Sequence, residues 1–152
     1  MAGSPLSQHL HQARRAAGLT QAELAKRAGT SQARVSSYER GAVVPTASTT
    51  ERLLRAARPL PSEALRRHRH AIVRLARHHR VGNVRIFGSV ARGDDSPTSD
   101  VDLLVTPEPD ASLLDLSAFA VEVEDLVGCE VDVTSDRGLR PESPILRDAR
   151  AL

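Results

Sequence analysis

Aromatic side chains, cysteine and long apolar runs are scarce in this sequence. Phe, Trp and Tyr together make up 2% of the 152 residues, so a core must be built from Leu, Val, Ile and Ala. The single cysteine, Cys129, excludes a disulfide within the chain. No apolar run approaches the roughly 20 residues that span a bilayer, and the first residues lack a signal-peptide core. We therefore expect a cytoplasmic protein with no membrane association.

Charge is segregated along the chain. Residues 1–80 carry 15 Lys and Arg against 4 Asp and Glu, a balance of +11, whereas residues 81–152 carry 6 against 15, a balance of −9. A basic half favours a polyanionic partner, and an acidic half favours metal ions. The alternative is a solvated surface whose charges are merely segregated, so the asymmetry only supports a functional interpretation.

The stretch "RPLPSE", residues 58–63, interrupts a helical pattern with two prolines. It predicts a boundary between two domains, residues 1–60 and residues 61–152. In the first domain, caps and apolar positions at helical spacing predict four helices, which begin near Ser4, Thr20, Ser31 and Pro45. We expect an all-α bundle there.

The second domain alternates helices and strands. A helix over about 63–80, capped by Ser62, is followed by a strand over 84–87 and a short helical turn that Gly93 ends. The segments "DVDLLV" and "EVDVTS" predict two more strands, with a helix over 111–127 between them and a last short helix from Ser143. This order predicts a small α/β domain.

The second and third predicted helices, joined through a glycine turn, have the pattern of a helix-turn-helix. In such a pair the later helix lies in the major groove with its first residues at the base edges. Val35 and Tyr38 form its apolar side. We expect its other side to contact DNA, through Gln32, Ala33, Ser36, Ser37 and Arg40. Gln21, at the start of the preceding helix, is placed to bond a phosphate.

Residues 6–57 resemble the phage-repressor (Xre-type) helix-turn-helix family. The shared residues are Leu19-Thr20-Gln21, Leu24-Ala25, Gly29, Val35-Ser36, Glu39-Arg40-Gly41 and Pro45. The resemblance implies operator DNA as a partner and a structural pair between Arg14 and Glu39. One such unit per chain usually binds DNA as a two-fold dimer. The alternative is a helical bundle that contacts proteins only.

Gly88-Ser89 follows the first predicted strand, where a glycine lets the backbone approach a ligand and free helix amides favour phosphate. Arg92 adds charge one turn later. Asp100 and Asp102 stand at n and n+2 of the next strand and therefore share a face, where two carboxylates repel each other unless a cation such as Mg²⁺ lies between them. If the third strand neighbours the second, Asp132 becomes a third ligand or a base. Asp94 and Asp95 precede the strand and are expected to be loop charges.

The pattern Gly88-Ser89-x-x-Arg92-Gly93, Ser99-Asp100-x-Asp102 and Asp132 resembles the nucleotidyltransferase superfamily with the polymerase-β-like fold, and most closely its minimal (MNT) members. The resemblance implies that ATP and Mg²⁺ are used. It implies that Asp100, Asp102 and Asp132 are catalytic and hold the metal, and that the nucleotide is bound by Gly88, Ser89, Arg92 and Ser99. An inactive domain that keeps only the fold is the alternative.

Minimal nucleotidyltransferases of this kind resemble components of bacterial toxin–antitoxin modules. The resemblance implies an antitoxin that transfers AMP to a cognate toxin, often of HEPN type, and represses its own operon as a homodimer or a larger complex. Two alternatives stay open: a toxin that modifies tRNA, and a DNA-binding regulator with a catalytically silent domain.

Overall fold

A computed structural model of the chain describes residues 5–152. The chain divides into two compact units, with the boundary between Pro59 and Leu60. Ser4, the predicted cap of the first helix, lies outside the described residues. Within residues 5–152, no helix is both long enough and apolar enough to cross a membrane.

The N-terminal unit consists of four helices, as predicted: α1 (Pro5–Ala16), α2 (Gln21–Arg27), α3 (Gln32–Glu39) and α4 (Ala47–Ala56). Their apolar faces meet in one core, whose buried side chains include Leu10, Leu24, Val35 and Leu53. The predicted capping box of α2 is confirmed, because the Glu23 amide donates to Thr20 Oγ1 at 3.2 Å and the Thr20 amide donates to Glu23 Oε2 at 2.7 Å. Such caps satisfy amides that the helix itself leaves without partners.

The C-terminal unit is the predicted α/β domain. Its elements are α5 (Pro61–His78), β1 (Val81–Phe87), α6 (Gly88–Arg92), β2 (Val101–Pro107), α7 (Leu113–Val127), β3 (Val131–Ser135), α8 (Pro144–Asp148) and β4 (Arg150–Ala151). The strands form one mixed sheet in the order β3-β2-β1-β4. β2 runs parallel to β3, and β1 runs antiparallel to both β2 and β4.

Alternation along the central strand β2 separates the core from the site. Val101, Leu103 and Val105 are fully buried in a core that also contains Ile72 of α5 and Phe119 of α7. Burial of each such side chain contributes about 1.5–3 kcal/mol. Since successive side chains of a strand point to opposite faces, Asp102 lies on the face away from this core.

Three details of this unit differ from the sequence-based expectation. The helix α5 begins at Pro61 rather than after a Ser62 cap: the Leu60 amide donates to Glu63 Oε2 at 3.2 Å, and the Ser62 amide donates to Asp95 Oδ2 at 2.9 Å. Strand β1 begins at Val81 rather than at Val84. Its pairing register with β2 shifts between Gly82 and Arg85, which interrupts the alternation of apolar and polar residues that a strand normally shows. Strand β4 has only two residues, too few for any periodicity.

Candidate functional site

The strand directions bring the predicted acidic residues to one edge of the sheet. Because β1 is antiparallel to β2 and β2 is parallel to β3, the end of β1 meets the beginnings of β2 and β3. Asp102 is in register with Phe87 of β1 on one side and with Asp132 of β3 on the other. Asp100 directly precedes β2. The sequence left open whether the strand of Asp132 lies beside the strand of Asp102, and the structure shows that it does.

The three carboxylates interact electrostatically. The pKa of Asp102 is raised above its ordinary value by burial, then by the negative charges of Asp132 and Asp100, and the positive charge of Arg92 opposes this only in part. Asp102 is partly buried, whereas Asp100 and Asp132 are exposed. The edge therefore gathers negative charge that its own cation does not neutralise.

Gly88 supplies the backbone that lies against Asp102. Its φ is +69°, a conformation that side-chain-bearing residues rarely adopt. A Cβ at this position would overlap Asp102 Oδ2 and stand 3.1 Å from Asp102 Cγ. The space beside the carboxylate is therefore available only because residue 88 is glycine, and the short helix α6 with Ser89 begins there.

The remaining predicted nucleotide-binding residues have partners of their own. Arg92 lies at the end of α6, is exposed, and its Nε donates to Asp94 Oδ2 at 3.3 Å, an exposed ion pair that is easily exchanged. Ser99 Oγ accepts the Ser96 amide at 2.9 Å, and the Ser99 amide donates to the Ser96 carbonyl at 2.9 Å. Ser99 thus closes the turn that leads into Asp100.

The donor set fits a divalent cation by its chemistry. Carboxylate oxygens are the hard ligands that Mg²⁺ takes, and a cation at this edge would relieve the repulsion that, after burial, raises the pKa of Asp102. Among residues 5–152, no three His, Cys, Asp or Glu side chains stand close enough to enclose an ion as they are oriented here. Side chains at this edge would have to turn to complete such a set.

The predicted DNA-reading surface lies on α3. Gln32, Ala33 and Arg40 are exposed, Ser36 and Ser37 are partly exposed, and Val35 between them is fully buried. Ser37 Oγ donates to the Ala33 carbonyl at 2.9 Å, and Arg40 Nε donates to the Ser36 carbonyl at 3.3 Å. These bonds stay within the helix.

Sequence reasoning missed Arg34 as a candidate for DNA contact. It is exposed in the first turn of α3 and lines a groove with Ala33, Thr46 and Thr49. The sequence did indicate this role, because Arg34 follows Ala33 near the start of α3, and the N-terminal residues of such a helix make the base contacts.

Gln21, which the sequence predicts to bond a phosphate, has a hydrogen-bond partner within its own unit. Its Nε2 donates to Glu39 Oε2 at 2.9 Å, and the same carboxylate accepts Arg14 Nε at 2.6 Å and Arg14 Nη2 at 2.9 Å. Burial works to raise the pKa of Glu39, but the hydrogen bonds from Arg14 and Gln21 and the Arg14 charge outweigh it, so this pKa lies below its ordinary value. The expected pair of Arg14 and Glu39 joins α1 to the end of α3.

Comparisons with known proteins agree with both units. The nucleotidyltransferase domain family matches residues 65–150, and a helix-turn-helix domain family matches residues 5–68. The first match spans more than half of the chain, so the chain belongs to the nucleotidyltransferase domain family. Members of this family act on a nucleoside triphosphate, typically with a divalent metal ion.

The similar proteins point to the same class of enzyme. A Methanocaldococcus jannaschii protein named "putative protein adenylyltransferase" is 40% identical over 70 residues, which cover 46% of this chain and 75% of that protein. Two further proteins of this organism with the same description are 34% and 32% identical over 77 residues, covering 51% of this chain and 76% of each relative. A solved structure described as a "putative minimal nucleotidyltransferase" aligns with a TM-score of 0.55 at 43% identity, over 60% of this chain and 95% of that one.

Proposed function

We propose that this nucleotidyltransferase transfers AMP from ATP to a hydroxyl group of a partner protein, and that its helix-turn-helix unit binds operator DNA. The observation that carries the enzymatic part is the placement of Asp102, in register with Asp132 and against the open backbone of Gly88. The names of the Methanocaldococcus jannaschii relatives favour ATP as donor and a protein as acceptor.

Each site residue has a role in this proposal. Asp100, Asp102 and Asp132 would hold Mg²⁺, which supplies positive charge to the phosphates and to the leaving group when it is bound. The Gly88 and Ser89 backbone would hold the triphosphate beside Asp102, since no side chain at residue 88 blocks the approach. We assign further phosphate contacts to Arg92 and Ser99. Arg92 would exchange its ion pair with Asp94 for a phosphate, and Ser99 would break a hydrogen bond to Ser96.

The transfer is a single displacement at phosphorus. The acceptor hydroxyl oxygen forms a bond to the α-phosphorus of ATP, the bond from that phosphorus to the bridging oxygen breaks, and pyrophosphate leaves with the bond's electron pair. The hydroxyl proton passes to a carboxylate, for which we assign Asp132 because it is exposed at the sheet edge. Positioning and charge neutralisation supply most of the catalysis in such reactions.

The biological setting in this proposal is a toxin–antitoxin module. The partner would be the cognate toxin, of HEPN type in the modules that this architecture resembles, and AMP transfer would neutralise it in the cytoplasm. The helix-turn-helix unit would repress the shared operon as a homodimer or with the toxin bound. Gln32, Ala33, Ser36, Ser37 and Arg40 would contact the operator from α3. Gln21 would add a phosphate contact from the N-terminal end of α2.

The test is label transfer from α-labelled ATP with Mg²⁺. The acceptors are the product of the adjacent gene, bulk tRNA, or none, and Asp100→Ala and Asp102→Ala are run beside the wild type. Glu142→Gln, an exposed carboxylate outside the site, is the matched control.

We expect label on the neighbouring gene product with the wild type and the control, and none with the two aspartate variants. Label on tRNA alone would make RNA the acceptor and the chain the toxin. No label on any acceptor, with other nucleoside triphosphates also tried, would leave a DNA-binding regulator with a silent domain.

A further inference from the structure

The outer face of α5 carries arginines that have no partner within the described chain. Arg66, Arg67, Arg74 and Arg77 are exposed, and they are here called the arginine stripe. At 3.6 residues per turn they lie within about 100° of one another around the helix and extend over about 16 Å along it. Ile72 and Ala76, on the opposite side of α5, are buried in the core.

The charge of the arginine stripe is uncompensated. Among residues 5–152, none of its four guanidinium groups takes part in an ion pair or a side-chain hydrogen bond, whereas Arg80 of the same unit pairs with Asp110 at 3.1 Å. The only acid on α5 is Glu63, at its first turn. Arg74 and Arg77 are like charges three residues apart, and such a pair costs an isolated helix a few tenths of a kcal/mol. The stripe therefore favours an extended partner of opposite charge.

We propose that the arginine stripe binds the phosphate backbone of duplex DNA without reading sequence. One strand of a duplex presents a phosphate about every 3.4 Å along the axis, so about 16 Å of one strand offers about five phosphates to the four arginines. Contacts between arginines and phosphates carry no sequence information, and four exposed side chains spread along one helix do not enclose a small anion. Duplex DNA is the favoured polyanion because the same chain carries a helix-turn-helix unit, which, once bound, keeps DNA at high local concentration for the rest of the chain.

This inference rests on the DNA-binding half of the proposed function and is independent of the nucleotidyl transfer. Its test is the salt dependence of DNA binding by the full chain. The probes are a labelled 30-bp duplex of arbitrary sequence, a duplex from the region upstream of the chain's own reading frame, and an RNA duplex of the same length. The stripe variant is Arg67→Gln with Arg74→Gln, and the matched control is Arg140→Gln with Arg147→Gln, exposed arginines of the same unit.

We expect the stripe variant to weaken binding to both DNA duplexes equally. The slope of log affinity against log salt should fall by about 1.8, or about 0.9 for each phosphate that an arginine no longer neutralises. The control should keep the wild-type slope. Thermal unfolding should be the same for both variants, because all four positions are exposed and glutamine suits the helical positions 67, 74 and 147.

Two outcomes would overturn the inference. A stripe variant that binds DNA like the wild type would refute it and would leave DNA binding to α3 alone. Weakened binding to the RNA duplex only would assign the stripe to RNA. Gln32→Ala separates sequence reading by α3 from phosphate binding by the arginine stripe. It should reduce the preference for the upstream duplex and leave the affinity for the arbitrary duplex unchanged, with or without the stripe substitutions.

Discussion

Removing the charge of Asp102 should stabilise the fold while it removes activity. Asp102 and Asp132 are register partners on neighbouring strands, and we take the strand spacing of about 4.8 Å as the separation of their charges. Two like charges at that distance repel by about 0.9 kcal/mol at the dielectric of water and by about 3.5 kcal/mol at an effective dielectric of 20. Because Asp132 is exposed, we take the lower end, so Asp102→Asn should gain about 1 kcal/mol.

The assay is thermal unfolding in a chelator at pH 8, followed by a pH series. A gain of about 1 kcal/mol raises the melting temperature of a unit of this size by about 4–8 °C. The pKa of Asp102 is raised above its ordinary value first by burial and then by Asp132 and Asp100, so the penalty on its charge is present at neutral pH. It fades as the pH falls through the folded pKa, because the native carboxyl then binds its proton first. The advantage of Asp102→Asn should therefore shrink towards low pH.

Glu142→Gln is the control for the change of charge, because this exposed carboxylate has no partner within residues 5–152. It should leave the melting temperature within about 2 °C of the wild type. Mg²⁺ at millimolar concentration should stabilise the wild type more than Asp102→Asn, which has lost a ligand. A variant that is no more stable than Glu142→Gln in the chelator would refute the repulsion on which the metal assignment rests.

Two further predictions concern the packing of single residues. Gly88→Ala should destabilise the C-terminal unit by at least about 1 kcal/mol more than Gly138→Ala, because both have positive φ but only Gly88 has Asp102 against the added Cβ. Chemical unfolding measures the difference, and equal costs would contradict this close approach. Glu39→Ala should cost about 3–5 kcal/mol, because it leaves Arg14 buried without its carboxylate. In the wild type this contribution is present above the ordinary pKa of Glu39 and is lost as the pH falls through its lowered folded value, so the two unfolding curves should converge in acid.

Local patterns predicted most elements of both units. The capping box at Thr20, the apolar spacing of α7 and the alternation around Asp102 are each contained in short stretches of consecutive residues. Such signals need no knowledge of the rest of the chain, because capping and alternation follow from backbone geometry alone.

The features that the sequence could not predict are contacts between residues that lie far apart in the chain. Whether Asp132 meets Asp102 depends on β3 pairing with β2, which brings together strands that α7 separates. The Ser62 amide in the first turn of α5 donates to Asp95, which lies 33 positions away. The inward bond of Gln21 to Glu39 likewise joins two helices. Each of these is a tertiary interaction that no local pattern encodes.

The most direct test of the central claim is to compare ATP labelled at the α-phosphate with ATP labelled at the γ-phosphate. Nucleotidyl transfer at the edge formed by Asp100, Asp102 and Asp132 predicts that the α-label becomes attached to the acceptor while the γ-label leaves in pyrophosphate. Asp132→Asn should lose both signals. Attachment of the γ-label, or α-label transfer that survives in Asp132→Asn, would contradict the account.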